Sequence, residues 1–262
     1  MNLSTRKDHI VAMLRSHGAM SVDRLAGHFK VTPQTIRRDL NQLYEANLLR
    51  RRHGGAELIA PQLNQPYDTR RISNFDAKVL IGQAVASLIP DHSCILLGFG
   101  TTPEQVALAL ARQQRRHLTV VTNNLRVALA LGQDDTHRIV MPGGELRIPN
   151  PEILGTETER LFRSFRADFG ISGVGGVDPD GALLDFDRAE AACHEALRES
   201  CRTRILILDH SKFGRTAPVR SGHIRDHEIL VTDSALPDGF ENVMTETTRL
   251  MIPQAQGQEL SA

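Results

Sequence analysis

The stretch "VTPQTIRRDLNQLYEANLLRRRHGGA", Val31 to Ala56, decides the reading of the amino-terminal part of the chain. Thr32 fits a helix N-cap, because its hydroxyl can accept from an amide of the first turn. Pro33 follows at the first helical position, where a missing N–H costs nothing. Ile36, Leu40 and Leu43 then share one face, which leaves Gln34, Thr35, Arg37 and Arg38 pointing outward. Next, "LLRRRHGGAELI" has apolar ends around a cationic centre with two glycines, the pattern of a β-hairpin. Upstream, "STRKDHIVAMLRSHG" predicts a helix with Ser4 as cap, Ile10, Met13 and Leu14 on one face and Gly18 as stop. "SVDRLAGHF" predicts a second, capped by Ser21, with Val22, Leu25, Ala26 and Phe29 on its apolar face. Two short helices joined by a tight turn, the second presenting Gln, Thr and Arg at its start, describe a helix-turn-helix, and the hairpin is its wing.

Charge is distributed in keeping with that head. Lys plus Arg and Asp plus Glu both total 31, so the chain has no net charge. Residues 1–60 nevertheless hold ten cations against five anions, which is +5, and the remainder therefore carries −5. A basic head on an acidic body suits a protein whose one end meets a polyanion. The three cysteines, Cys94, Cys193 and Cys201, are odd in number and form no C-x-x-C pair, so neither a disulfide framework nor a cysteine zinc site is expected. No cofactor and no metal are expected. "MNLSTRKDHIVAMLRSHG" has no apolar signal core, and no apolar run approaches the ~20 residues a bilayer span needs. A cytoplasmic protein without membrane contact is the expectation.

A chain of 262 residues exceeds the roughly 100–200 of a typical domain and predicts two. The proline-containing "APQLNQPY" marks the linker, giving a head at 1–59, a linker at 60–74, a body at 75–253 and a tail at 254–262. In the body, the apolar runs "SCILLG", "LTVVT", "RIVM", "DFGISG", "RILILD" and "EILVT" alternate with helical patterns at 76–88, 103–112 and 188–199. This alternation predicts an α/β domain on a mostly parallel sheet, with ligands bound beyond the carboxyl ends of the strands.

The loops expected at those ends carry chemistry. "GFGTTPEQVALAL" combines a glycine turn, Gly100, with Thr101 and Thr102 before a helix opening with Pro103, a cradle for an anion at a helix N-terminus. It lacks a P-loop lysine and the third glycine of a dinucleotide fingerprint, so a nucleotide is not favoured. "TNN" with Asn123, "PGGE" with Gly144, and "DHSKFG" with Lys212 as a point charge for phosphate add further candidates. Asp185, Asp187 and Glu190 follow the turn in "DPDGALLDFD" and suit either sugar hydroxyls or helix capping.

On these motifs the chain resembles the DeoR family of bacterial transcriptional regulators. "TIRRDLNQL" and "LLRRRHGGA" resemble that family's helix-turn-helix and wing; "GTTPE", "VVTNNL", "PGGELR" and "DHSKFGR" resemble its effector domain, whose fold is shared with ribose-5-phosphate isomerase and CoA transferases. The resemblance implies a repressor that binds double-stranded operator DNA as a homo-oligomer, dimer or tetramer, and leaves it when a phosphorylated sugar or polyol such as glycerol-3-phosphate is bound. It implies DNA contacts from Gln34, Thr35, Arg37, Arg38, Arg50, Arg51, Arg52 and His53. The effector would be surrounded by Gly100, Thr101, Thr102, Asn123, Gly144, Asp187, Glu190 and Lys212. The chain departs from the family pattern at Gly98, where a polar residue is common, at His194, where a lysine is common, and along "LRIPNPEILG", where glycines are expected. The competing reading is a sugar-phosphate isomerase or deaminase of the same fold, with Glu190, Asp187 and His194 as its acid–base candidates. A sensor that has lost its effector response is a third.

Overall fold

The computed structural model describes residues 3–17, 19–45, 48–52, 54–58, 65–240 and 242–253. The chain divides into two compact units, Met1–Gln65 and Pro66–Ala262.

The first unit contains α1 (Leu3–His17), β1 (Met20–Ser21), α2 (Val22–Phe29), α3 (Pro33–Glu45), β2 (Leu49–Arg52) and β3 (Gly55–Leu58). α1 already begins at Leu3, which puts Ser4 inside its first turn and not at the expected cap position. Gly18, the expected stop, lies outside the described residues. Ser21 caps α2 by accepting from the Arg24 amide at 3.2 Å. Thr32 does the same for α3 through the Thr35 amide at 3.3 Å, and Pro33 is the first helical residue. Ile10, Leu14, Leu25, Ile36, Leu40, Leu43 and Leu49 form one buried cluster. Buried Asp39 on α3 is held by Arg6 of α1, with Nε donating at 2.6 Å and a second guanidinium nitrogen at 3.2 Å. β3 lies between β1 and β2, antiparallel to both, and completes the winged helix. The second wing glycine has a steric reason: a Cβ on Gly55 would stand 2.1 Å from the Met20 carbonyl oxygen.

The second unit opens with α4 (Tyr67–Ile72) and α5 (Phe75–Leu88). α4 occupies part of the 60–74 segment expected to be linker: Tyr67 and Thr69 are buried, so that stretch belongs to the folded body. There follow β4 (Cys94–Leu97), α6 (Thr101–Arg112), β5 (Thr119–Thr122), α7 (Leu125–Leu131), β6 (Arg138–Val140), α8 (Thr156–Arg163) and β7 (Ala167–Ser172). Then come β8 (Gly176–Val177), β9 (Ala182–Asp185), α9 (Arg188–Glu199), β10 (Cys201–Leu208), β11 (Val219–His223), β12 (Ile229–Thr232) and β13 (Arg249–Met251). α6 begins at Thr101, two residues before the expected Pro103, because Gly100 supplies the cap position. "DPDGALLDFD" is more than a turn: its second half is strand β9, paired to β8 and β11 in a small antiparallel sheet.

Seven strands form the main sheet in the order β13-β12-β10-β7-β4-β5-β6, and every pairing is parallel. Both faces must then be covered, which is why its strands are continuous apolar runs rather than alternating ones. Ile95, Leu97, Val120, Ile171, Ile205, Ile207 and Val231 pack with α5 and α6 residues such as Ile81, Val85, Val106 and Leu110. α5 meets α6 closely at Gly82, where an added Cβ would lie 2.6 Å from the Gln105 carbonyl oxygen. A Gly82→Val variant is therefore expected to be destabilised by about 2–3 kcal/mol through overpacking. Urea unfolding checks this; an unchanged midpoint would count against the close approach.

Candidate functional site

Along the main sheet the chain runs outward from β4 through β5 to β6, then returns to β7 and runs the other way. The reversal opens a crevice beyond the carboxyl ends of β4 and β7, the usual ligand position in open α/β sheets. There the Gly98 amide donates to the Ile171 carbonyl oxygen at 2.9 Å, and Gly100, at φ +113°, turns the chain into α6. A positive φ of this size favours glycine. The turn is pinned from two sides, by the Tyr67 hydroxyl at 3.3 Å and the Asn124 side-chain amide at 3.1 Å, both donating to the Gly100 carbonyl oxygen. The Thr101 and Thr102 amides then lie in the first turn of a helix, without intrahelical acceptors and at its positive end. The Tyr67 hydroxyl also donates to Glu104 Oε2 at 3.1 Å, and Arg71 pairs with Glu104 Oε1 at 3.3 Å. Burial first, and then the Glu104 charge, push the Tyr67 hydroxyl above the ordinary tyrosine range.

Cations gather beside this turn. Lys212 closes a short 3₁₀ turn, His210–Lys212, that follows β10 and is capped by Asp209 accepting from the Ser211 amide at 3.0 Å. Part of Lys212 reaches the surface, but its ammonium is enclosed. Burial and the neighbouring Arg215 drive it well below the usual lysine range, with the Asp209 charge opposing them. Arg70 and Lys78 add to the positive field. Buried Lys78 donates to the carbonyl oxygens of Arg70 and Ser73, so α5 secures the carboxyl end of α4. Asp209 also accepts from the Asn74 side-chain amide at 2.8 Å; burial opposes its charge, but Lys212 and Lys78 hold its carboxyl below the usual range.

A second group, rich in carboxylates, extends from the 147–152 turn to α9. Arg147 lies 3.6 Å from Glu152 Oε1, 3.2 Å from Glu190 Oε1 and 4.0 Å from Asp187 Oδ2. Arg70 joins it by donating to Asn150 Oδ1 at 2.9 Å. Glu152 and Glu190 are 1 % and 2 % exposed. Burial, and then the charge of Glu190, push the Glu152 carboxyl up to about 7. Burial and Asp185 raise Glu190 as well. His194 Nδ1 is 2.8 Å from Asp185 Oδ2, and its ring stacks on Phe99 at 4.5 Å between centroids. Burial opposes the Asp185 charge but is outweighed by His194, and the Asp185 carboxyl stays below its ordinary value.

The sequence-predicted residues can now be placed. Gly100, Thr101 and Thr102 form the α6 turn; Asn123 ends β5, where its side-chain amide donates to the Ile153 carbonyl oxygen at 2.9 Å. Glu190 faces Arg147, and Lys212 sits at the cation cluster. Asp187 caps α9 by accepting from the Ala189 amide at 2.8 Å, so it serves the helix first and reaches the site through Arg147. Gly144 is exposed in the loop after β6, at φ +134° beside Ile153. At Gly98 an added Cβ would stand 3.4 Å from Leu197 Cδ1, so α9 occupies the side a longer side chain would need. Sequence reasoning missed Tyr67, Arg70 and Arg71 on α4, and Arg147 and Glu152; Asn124 belongs to the "TNN" loop singled out in the sequence and caps α7. The signal for α4 was "PYDTRR", an aromatic followed by an Arg pair; Glu152 had none.

On the head, Gln34, Arg37 and Arg38 are exposed along the first half of α3. Thr35 is partly covered, with its hydroxyl 2.9 Å from that of Thr32. Arg50, Arg51 and Arg52 lie on β2, but their side chains, and all of His53, lie outside the described residues. Among the described residues no helix is long and apolar enough to cross a membrane.

A winged helix with outward arginines, on a chain whose second unit closes a cation-lined crevice, is the build of a DNA-binding regulator with a sensor. The chain belongs to the DeoR family: residues 6–62 match its DeoR-like helix-turn-helix domain and residues 73–234 its DeoR C terminal sensor domain. It is 42% identical to the glycerol-3-phosphate regulon repressor of Escherichia coli (strain K12), over 94% of this chain and 97% of that protein. It is 35% identical to the HTH-type transcriptional repressor CsqR of the same organism, over 95% of each. A solved D-ribose-5-phosphate isomerase in complex with phospho-erythronic acid overlaps 53% of this chain and 54% of its own, at 19% identity and a TM-score of 0.39.

The raised Glu152 carboxyl has a consequence for stability. Between its ordinary value of 4.5 and about 7 the folded state holds a proton that the unfolded state has released, so stability falls as pH rises through that window. Glu152→Gln removes that loss. Its stability advantage over the parent is expected to be absent near pH 4 and to grow to on the order of 3 kcal/mol by pH 8. Urea unfolding across pH checks it, and a difference that did not change with pH would contradict it.

Proposed function

We propose that the chain is a transcriptional repressor that binds operator DNA through α3 and its wing, and is released when a phosphorylated sugar or polyol, glycerol-3-phosphate foremost, occupies the crevice. The observation that carries the sensor half is the charge balance at Lys212. Its enclosed ammonium lies in the positive field of Arg215, Arg70 and Lys78, which burial makes costly and a phosphate dianion would relieve. The open first turn of α6 adds donors for the same group. Glycerol-3-phosphate is favoured by similarity to the regulon repressor that its name describes.

On DNA, Arg37 or Arg38 would reach guanine edges in the major groove, each bidentate contact being worth roughly 1–3 kcal/mol of discrimination. Arg50, Arg51, Arg52 and His53 would neutralise phosphates. A two-fold homo-oligomer would read a repeated or palindromic site. Effector can lower operator affinity only by its preference for the DNA-free state, and a hundredfold release needs ~2.7 kcal/mol. This reading assigns no catalysis to the chain.

Two outcomes follow for the full chain on an operator selected from a random duplex pool, followed by fluorescence anisotropy. Arg37→Ala and Arg38→Ala are each expected to weaken operator binding about tenfold or more, and to reduce discrimination against unselected duplex. Glycerol-3-phosphate is expected to release the parent protein, while Lys212→Ala stays bound at the same effector concentration. Release of both alike would remove Lys212 from the site. Turnover of ribose-5-phosphate or glucosamine-6-phosphate by the protein would overturn the repressor-only reading in favour of an isomerase or deaminase.

A further inference from the structure

The polar wall opposite the cation cluster has an unusual composition. Glu152 Oε1 and Oε2, Glu190 Oε1, Asn123 Oδ1 and His194 Nε2 are all buried, and none has a hydrogen-bond partner. Their residues are 0–2 % exposed. Arg147 is at ion-pair distance from both glutamates but makes no hydrogen bond to these oxygens. The five atoms lie on three segments that meet. Asn123 is joined to the Glu152–Ile153 backbone by two hydrogen bonds at 2.9 Å, and Arg147 bridges Glu152 to Glu190 on α9, the helix that also carries His194.

Amide and ionised carboxylate oxygens only accept, and one proton held between Glu152 and Glu190 would serve only one of these positions. His194 Nε2 donates or accepts according to the protons on its ring, so the acceptors of the wall are the four oxygens. Leaving buried acceptors unmade costs about 1–3 kcal/mol each, so a wall with four such oxygens calls for donors from outside the protein. A phosphate cannot supply them: it is itself an acceptor and would be repelled by the two glutamates. Hydroxyl groups can.

Resting on the sensor reading above, we infer that Glu152, with Glu190 and Asn123, is a specificity-determining residue that recognises the free hydroxyls at the end of the effector remote from its phosphate. The site thereby selects polyol and sugar phosphates, and rejects both dehydroxylated esters and esters bearing a carboxylate in place of a hydroxyl. Glu152 is held for this role by its backbone: its amide donates to the Asn150 carbonyl oxygen at 2.8 Å, and its carbonyl oxygen accepts from the Arg147 amide at 2.9 Å. Arg70 is fixed to Asn150 in the same turn, so the arrival of the phosphate and of the hydroxyls is sensed by one short segment.

The test is calorimetric titration of the full chain with two matched pairs, glycerol-3-phosphate against n-propyl phosphate and ribose-5-phosphate against 2-deoxyribose-5-phosphate, together with 3-phosphoglycerate and inorganic phosphate. The hydroxylated member of the tighter-binding pair is expected to bind about tenfold to a hundredfold more tightly than its partner, and 3-phosphoglycerate no better than inorganic phosphate. Glu152→Ala is expected to erase most of that preference without weakening the binding of inorganic phosphate. Glu152→Gln, which keeps one acceptor and gains a donor, is expected to admit 3-phosphoglycerate. Equal affinity within both pairs in the parent overturns the inference without any variant, and so does a preference that survives both substitutions. Silence toward all six compounds overturns the sensor reading itself, and the inference with it.

Discussion

The parallel ladder through β4 is the constraint on which the site depends. β4 is hydrogen-bonded to β5 on one side and β7 on the other, and the chain reaches those two neighbours in opposite directions. All carboxyl ends therefore face the same edge, but the connections leaving β4 and β7 diverge. A crevice at that point is a topological necessity. Into it project the first turn of α6, the 3₁₀ turn after β10 and the start of α9, each delivered by its own strand.

Charge then determines what the crevice can hold. Lys78 and Lys212 gather near Asp209, Glu152, Glu190 and Asp185 gather around Arg147 and His194, and the Arg70 charge acts on both groups. Burying charges of either sign is expensive unless each is matched. The raised Glu152 carboxyl and the depressed Lys212 ammonium express the same tension from opposite sides. A molecule with an anionic end and a donor-rich end relieves both. The family assignment, reached separately from sequence similarity, is to regulators with a sensor domain.

α4 ties several parts of the site together. It is the first element of the body, directly after Gln65, and it supplies Tyr67, Arg70 and Arg71. Tyr67 holds the α6 turn, Arg70 the 147–152 turn, and Lys78 fastens the carboxyl end of the helix.

The head was legible in the sequence because its determinants are local. A capping hydroxyl, a proline at the first helical position and an apolar stripe act within four residues, so Thr32, Pro33 and Ile36 declare α3 without reference to anything distant. The alternation of strands and helices in the body is legible for the same reason, and so is the glycine turn into α6. The site is different. The Tyr67 hydroxyl meets Gly100 across 33 residues, Arg70 meets Asn150 across 80, and Asn74 meets Asp209 across 135. No local pattern encodes such meetings. Thus the "PYDTRR" segment passes for linker until Tyr67 is seen buried, and Glu152 looks like one more loop carboxylate until Arg147, Glu190 and Asn123 close around it. Sequence alone determined which elements form and which family they belong to; the tertiary structure decided which polar atoms are buried together without partners, because burial is a property of the packed chain and not of any stretch of it.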